Sequence, residues 1–463
     1  MQYTRGLIGS NGLHARVYVP LLRYTVGMKV AILGFGREGR AAAEYWHSKG
    51  YEITICDGDS SLDIPAVYKE KLGADHLANL DNFDLLIRSP GIHPFTLMAD
   101  SDPQLLDKIW SGTNEFLVSS PTTNVIGVTG TKGKGTTATL ISRMLEAMGE
   151  KVHLGGNIGV PALALLSNDI NPSDWVVLEL SSFQLIDLKH SPRIGVCLMV
   201  EPEHQDWHQS LDEYTGAKKN LFRWQTEGSK AIYLDSNTTS KEIATVGAGE
   251  KVPYYSQPGT YIDGGSVIMG NTHICSVDEI KLVGEHNWQN VCAAVTAAWQ
   301  VKRDREALRG AIAAFAGLPF RLELRGKVDG IEYYNDSFSS QPEATIAAIR
   351  AVKQSKVLIV GGFDRGLDLS RLAKVVKENS GSIRKLVVIG AATQRLVSSL
   401  DKEGFSNYTL ERSKEMKDIV SKAKGYTLPG DAVVLSPGFP SFDMFKNFEE
   451  RGRKFNEAIG LGT

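Results

Sequence analysis

The stretch GTKGKGT at 130–136 packs three glycines, two lysines and two threonines into one strand-to-helix junction. Before it lies a strand-like apolar run, Val125–Val128. After it, Thr136 to Met148 reads as a helix with Leu140, Ile141, Met144, Leu145 and Met148 on one face and Gly149 as its stop. Such a junction places the chain among α/β folds, because small residues let backbone N–H groups close around an anion at a helix N-terminus. The spacing departs from the Walker pattern, since Val128 stands where that pattern has glycine. A turn that merely caps a helix is the competing reading. The two lysines and the hydroxyls favour a phosphate cradle formed by Gly130, Thr131, Lys132, Gly133, Lys134, Gly135, Thr136 and Thr137. In that cradle Lys134 would reach the terminal phosphates and the Thr136 hydroxyl a metal ion.

At 463 residues the chain has room for two to four compact units. Its 51 Lys and Arg nearly balance its 53 Asp and Glu, which argues against a nucleic-acid clamp or a polybasic membrane binder. Cys56, Cys197, Cys275 and Cys292 are far apart with no CxxC pair, so they read as reduced thiols rather than zinc ligands or disulfides. No apolar run approaches the ~20 residues that span a bilayer. Residues 1–27 read as an N-terminal extension without an h-region, and a cytoplasmic location is expected.

Three blocks follow the extension. The first opens with KVAIL (29–33), a Gly34-x-Gly36-x-x-Gly39 turn, a helical AAAEYW and a second strand, YEITICD, ending at Asp57. Alone, that fingerprint would suit a nicotinamide dehydrogenase. Two phosphate-cradling turns in consecutive domains suit an enzyme handling two nucleotides better. The second block adds strands at Trp175–Leu180 and Ile194–Val200, with strands and loops from 228 to 284. The third alternates KVLIVGG, KLVVIG and AVVLSPG with helices. The expected architecture is α/β in three domains: Rossmann-like over 28–112, a central phosphate-loop ATPase with a mostly parallel sheet over 113–317, and Rossmann-like over 318–463.

Ligands of open parallel sheets bind beyond the carboxyl ends of strands. Glu179 in ELSSFQ and His204 in EHQD both fall at such ends and are candidate magnesium ligands. Read singly, Glu179 could equally be a paired buried acid and His204 a satisfied loop histidine. Asn157 in GGNIG could position substrate or occupy a left-handed turn, and Lys218 reads as a solvated helix lysine.

Taken in order, TGTKGKGTT (129–137), GGNIG (155–159), ELSSFQL (179–185), EHQDWH (203–208), YTGAK (214–218), GEHNWQN (284–290), GLPFRLE (317–323), NDS (335–337) and SPGFPSFDMFKNFEERG (436–452) resemble the Mur ligase family. The match covers about residues 29 to 460. The resemblance implies successive domains for a UDP-sugar, ATP and an amino acid. It implies an acyl-phosphate intermediate and the addition of D-glutamate to UDP-N-acetylmuramoyl-L-alanine in cell-wall precursor synthesis, by a monomer. Lys134, Lys218 and His204 would be catalytic. Thr136, Glu179, His204 and a carbamylated Lys218 would hold magnesium. Asn290, Arg321 and Asp336 match positions that touch ATP, with Asn287 close by. Gly36, Arg37, Asp57, Asn157 and Ser182 match the UDP-substrate side, and Arg365, Ser441, Phe442 and Phe448 the amino-acid side. The chain departs from the family pattern at Gly135, where a hydroxyl is frequent, at Phe338 and Ser339 in the NDSK motif, and at Arg365, where lysine is common. Gly135 is shared with folylpolyglutamate synthases, the alternative ligase reading.

Overall fold

The computed structural model describes residues 27–97 and 105–461, so all but the last residue of the expected extension lies outside the described residues. The chain divides into two compact units, Met1–Trp110 and Ser111–Thr463.

The first unit holds a parallel five-stranded sheet of β1 (Lys29–Leu33), β2 (Glu52–Asp57), β3 (Lys69–Leu72), β4 (Leu85–Arg88) and β5 (Ile109–Trp110), in the order β3-β2-β1-β4-β5. The glycine turn after β1 is tight for a steric reason. A Cβ on Gly39 would sit 1.9 Å from the Gly34 carbonyl oxygen, so only glycine lets the helix Arg37–Ser48 start so close to the strand. Asp57 braces this turn from the end of β2, its Oδ2 accepting from the Phe35 amide at 2.7 Å.

The second unit contains a six-stranded parallel sheet of β6 (Val125–Thr129), β7 (Val152–Gly156), β8 (Trp175–Glu179), β9 (Ile194–Cys197), β10 (Lys230–Leu234) and β11 (Glu250–Tyr254), ordered β11-β10-β9-β6-β8-β7. Strands β6, β8 and β9 are buried throughout, as their unbroken apolar runs require when both faces are covered. The helix Lys134–Ala147 packs on this sheet through Leu140, Ile141, Met144 and Leu145, all fully buried. Each such side chain contributes roughly 1.5–3 kcal/mol.

Three details differ from the sequence expectation. The helix begins at Lys134 rather than Thr136, because Gly133 takes the left-handed N-cap conformation. The apolar run Ile194–Val200 leaves the sheet after Cys197, and Met199 instead accepts a hydrogen bond from the Thr131 amide at 2.8 Å. Its hydrophobicity serves burial against the glycine loop, not strand pairing. The stretch 228–284 contains a helix, Thr238–Ala244, whose start is capped by the Asn237 side chain, besides β10, β11 and a small antiparallel sheet of β12 (Thr260–Asp263), β13 (Ser266–Met269) and β14 (Thr272–Ser276).

The last sheet comprises β15 (Glu323–Val328), β16 (Ile331–Asn335), β17 (Lys356–Gly361), β18 (Ile383–Ile389), β19 (Tyr408–Leu410) and β20 (Ala432–Leu435), ordered β15-β16-β20-β17-β18-β19 with only β15 antiparallel. Among the described residues, no helix is long and apolar enough to cross a membrane.

Candidate active site

The chain order of the central sheet reverses around β6, whose neighbours are β9 and β8. That switch point opens a crevice beyond the strand tips. The three segments singled out from sequence leave from these three adjacent strands: the glycine loop after β6, Glu179 at the end of β8, and the segment carrying His204 after β9. Gly130 and Gly133 are held as glycine by left-handed backbones, φ 149° and 84°, whereas Gly135 faces only the ends of flexible side chains. A Cβ on Gly130 would meet Leu198 Cβ at 2.7 Å, one on Gly133 would meet Asn290 Oδ1 at 2.2 Å, and one on Gly135 would meet Glu179 Oε2 at 2.9 Å.

Two ammonium groups converge on the loop. Lys134 Nζ donates to the carbonyls of Gly130 at 3.1 Å and Thr131 at 3.0 Å. Lys218 Nζ, in a helix (Leu211–Arg223), donates to the same Gly130 carbonyl at 3.0 Å. Sharing one acceptor keeps the two nitrogens within about 6 Å, where like charges repel by about 3 kcal/mol at an effective dielectric of 20. Lys218 is 1% exposed, and burial first, then the Lys134 charge, bring its pKa down to about 7. Burial also lowers the pKa of Lys134, against the opposing pull of Glu179 and Glu203. The solvated lysine expected at 218 is thus a buried amine. Tyr214 closes the back of the loop: its hydroxyl pairs with Thr131 Oγ1 at 2.8 Å and its ring lies 4.6 Å from Lys218 Nζ.

Glu179 is 2% exposed. Its Oε1 accepts from Asn157 Nδ2 at 2.8 Å, while its buried Oε2 has no hydrogen-bond partner among the described residues. An orphaned, buried carboxylate oxygen beside the loop is an oxygen donor of the kind a hard divalent cation takes. His204 has a left-handed backbone (φ 57°) and packs on the Phe183 ring at 4.7 Å. Its pKa falls through burial and through Lys134 and Lys218, with Glu203 opposing.

The nucleotide-side candidates surround the same loop. Asn290 faces Gly133, accepts from Thr137 Oγ1 at 3.4 Å and donates to Asn287 Oδ1 at 2.8 Å. Thr137 is therefore a buried brace under the loop rather than an open hydroxyl. Asp336 is buried and accepts from the Leu322 amide at 2.9 Å, Ser436 Oγ at 2.7 Å and Ser339 Oγ. Desolvation raises its pKa to about 6 despite these bonds. The Arg321 guanidinium feels both Glu179 and Asp336 and stacks on the Phe338 ring, 3.8 Å from the centroid.

On the substrate side, Ser182 is buried at the start of the short helix Ser182–Leu185 and bonds His208 Nε2 at 3.0 Å. Gly36, Arg37 and Asp57 all stand at the glycine turn of the first unit. Phe448 meets Phe338 edge-on at 4.9 Å, the 61% exposed Phe442 meets Phe363 at 6.3 Å, Ser441 is buried and Arg365 exposed. Sequence reading passed over Tyr214, His208 and Arg451. The buried Arg451 ties the last helix to Ser337 O, Ser337 Oγ and Phe439 O at 2.8–3.0 Å. The FEERG motif was visible, but nothing in its pattern announces a buried guanidinium.

A glycine loop at a sheet switch point, with a half-buried and a buried amine from two helices against it and a carboxylate at a neighbouring strand tip, defines a nucleotide-dependent phosphoryl-transfer enzyme. The Mur ligase middle domain family matches residues 128–298, and the Mur ligase, glutamate ligase domain family matches residues 320–439. The chain is 34% identical to the UDP-N-acetylmuramoylalanine–D-glutamate ligase of Acetivibrio thermocellus, over 93% of this chain and 96% of that one. It is equally similar to the protein of the same name from Ruminiclostridium cellulolyticum. Among solved structures, UDP-N-acetylmuramate-alanine ligase from Thermotoga maritima superposes with a TM-score of 0.58 at 15% identity, over 94% of this chain and 99% of that one. A folylpolyglutamate synthase from Mycobacterium tuberculosis reaches 0.54 at 14% identity, over 74% of this chain and 93% of that one, a likeness of fold alone. The chain belongs to the Mur ligase family. The folylpolyglutamate alternative is not favoured.

Proposed function

We propose that this ATP-dependent ligase phosphorylates the carboxylate of UDP-N-acetylmuramoyl-L-alanine and joins the acyl group to D-glutamate, in peptidoglycan precursor synthesis. One observation supports it above the others: Lys134 and Lys218 share the Gly130 carbonyl at 3.1 and 3.0 Å, beside a buried carboxylate. Two ammonium ions this close repel in a low-dielectric site, which favours a neutral Lys218 beside a charged Lys134 whose charge a polyphosphate neutralises.

In this reading a carboxylate oxygen attacks the γ-phosphorus and ADP leaves. The amine of D-glutamate then attacks the acyl carbon, loses a proton, and inorganic phosphate departs. Lys134 and Arg321 hold the phosphates where negative charge accumulates. Thr136, Glu179, His204 and Lys218 would hold magnesium, which when bound neutralises phosphate charge and polarises the transferred group. Lys218 fits that role only as an anion. An amine with pKa about 7 is substantially neutral at cellular pH, so its lone pair can attack carbon dioxide and shed a proton to give the carbamate. Asn157 and Ser182 belong to the acyl substrate, and Gly36, Arg37 and Asp57 to its uridine nucleotide. Asn290 and Asp336 complete the ATP site, while Arg365, Ser441, Phe442 and Phe448 receive the amino acid. The domains meet near 112 and 317.

Phosphate release measured with UDP-N-acetylmuramoyl-L-alanine and a panel of amino acids tests this. Release should require both substrates, peak with D-glutamate and fall at least a thousandfold, about 4 kcal/mol of barrier, in Lys134→Ala. Turnover in Lys134→Ala at the wild-type rate would remove the loop from the mechanism.

A further inference from the structure

Behind Ser182 lies a chain of hydrogen bonds that the reaction as described does not use. His208 Nε2 stands 3.0 Å from Ser182 Oγ, and His208 Nδ1 stands 3.2 Å from Glu213 Oε2. The three residues come from separate stretches: the helix after β8, the loop before the Leu211–Arg223 helix, and the first turn of that helix. His208 and Ser182 are 4% and 3% exposed. Glu213 is pinned, its Oε2 also accepting from the Gln209 amide at 3.0 Å and its own amide donating to the capping Ser210 Oγ at 3.1 Å. The His208 backbone is anchored too, donating to the His204 carbonyl at 2.9 Å.

An ionised carboxylate only accepts, so the proton of a neutral His208 ring sits on Nδ1 and points at Glu213. Nε2 is then an acceptor, and the Ser182 hydroxyl must donate to it. We propose that Glu213 and His208 are positioning residues that fix the direction of the Ser182 hydroxyl, so that its lone pairs face the acyl substrate and receive an amide N–H. This rests on the assignment of Ser182 to the substrate side and deepens it. The committed hydroxyl cannot turn to donate to the carboxylate that is to be phosphorylated, which leaves that group to the cations. The same three side chains in an open cleft would suit a nucleophilic serine. Reactivity of Ser182 toward a fluorophosphonate separates that reading from a positioning role.

The tautomer is directly measurable. In the full chain labelled with 15N-histidine, a long-range proton–nitrogen correlation should show His208 protonated at Nδ1 and bare at Nε2, the resonance being assigned by its loss in His208→Gln. A proton on Nε2 would overturn the proposal. In steady-state kinetics, His208→Phe should raise KM for UDP-N-acetylmuramoyl-L-alanine about tenfold and leave KM for ATP unchanged, the effect expected of one misdirected hydrogen bond. His208→Gln, whose amide oxygen can still accept from Ser182, should recover most of that loss. An analogue with an ester oxygen in place of the substrate's amide N–H should bind wild type about tenfold more weakly and bind Ser182→Ala no worse than the amide does. Equal penalties in both proteins, or labelling of Ser182 by a fluorophosphonate, would overturn it. A wild-type chain without ligase turnover would sink the ligase reading instead, and the tautomer would still decide the hydrogen-bond chain.

Discussion

Phe338 replaces the lysine of the family's NDSK motif, and the structure gives it a different task. Its ring backs the Arg321 guanidinium at 3.8 Å and is itself buttressed by Phe448. A cation–π contact of this kind is worth about 0.5–2 kcal/mol, or roughly 2- to 30-fold in an equilibrium. Phe338→Ala should therefore raise KM for ATP within that range, and Phe338→Tyr should not. An unchanged KM in the alanine variant would show that Arg321 needs no such support. Lys218 carries a second residue-scale prediction. Lys218→Ala should lose activity and recover part of it in millimolar formate or acetate, small anions that fit the space of a carbamate; full activity with no carbon dioxide mass increment on the wild-type chain would refute the modification. The surroundings of both residues were hard to read from their own motifs for one reason. YTGAK shows a lysine on a helix, but its 1% exposure depends on Thr129 and Gly130 closing over it from a distant strand and loop, besides Tyr214 of the same helix. Glu179 and the glycine loop were legible because strand tips are local features. His208 and Phe338 were not, because their partners lie 26 and 17 residues away.

At the scale of elements, buried parallel strands announce themselves as apolar runs, and KVAIL, VIGV and KVLIVGG all became strands. The sequence pattern was less decisive where apolar residues cover a loop, as at 198–200, or where a capping asparagine starts a polar helix, as at Asn237. Strand β17 contains an anomaly that pattern alone does not weigh. Its first residue, Lys356, is 1% exposed and donates to Ser382 Oγ at 3.1 Å. Burial lowers its pKa to about 8 from the ordinary 10.5. Between pH 8 and 10.5 the unfolded chain holds more protons than the folded one, so stability rises with pH across that window. Below pH 8 the full cost of burying the ammonium is present. Lys356→Met should accordingly be more stable than wild type at pH 7, by roughly 1–3 kcal/mol. Its advantage should shrink as pH climbs past 8 and vanish near 10.5. Ser382 would stay satisfied through its own bond to Asn379 O at 3.1 Å. Thermal melts across pH measure this, and an advantage independent of pH would assign the effect to packing alone.

For the whole molecule, the two compact units divide the proposed site residues unequally. Lys134, Glu179, Lys218, Asn290, Arg321 and Asp336 all lie in Ser111–Thr463, as do both stretches that match the family domains. The first unit carries the glycine turn proposed for the uridine nucleotide, and has its own core around Ala31, Leu33, Cys56 and Leu86. The second unit has cores of its own as well, around Ile126, Val128 and Leu140 and around Leu358, Leu372 and Leu386, so each unit is a folding candidate by itself. A chain reduced to residues 111–463 should then unfold cooperatively and bind ADP with a Kd within about threefold of the full chain, since each ATP contact proposed above is internal to it. It should release no phosphate when UDP-N-acetylmuramoyl-L-alanine and D-glutamate are added, because the acyl substrate lacks its nucleotide anchor and remote binding energy is what orients a carboxylate for attack. Calorimetric titration with ADP and a coupled phosphate assay give the two readings. A folded fragment that has lost ADP binding would mean that the ATP site draws on the first unit, and a fragment that still ligates would remove the glycine turn after β1 from substrate recognition.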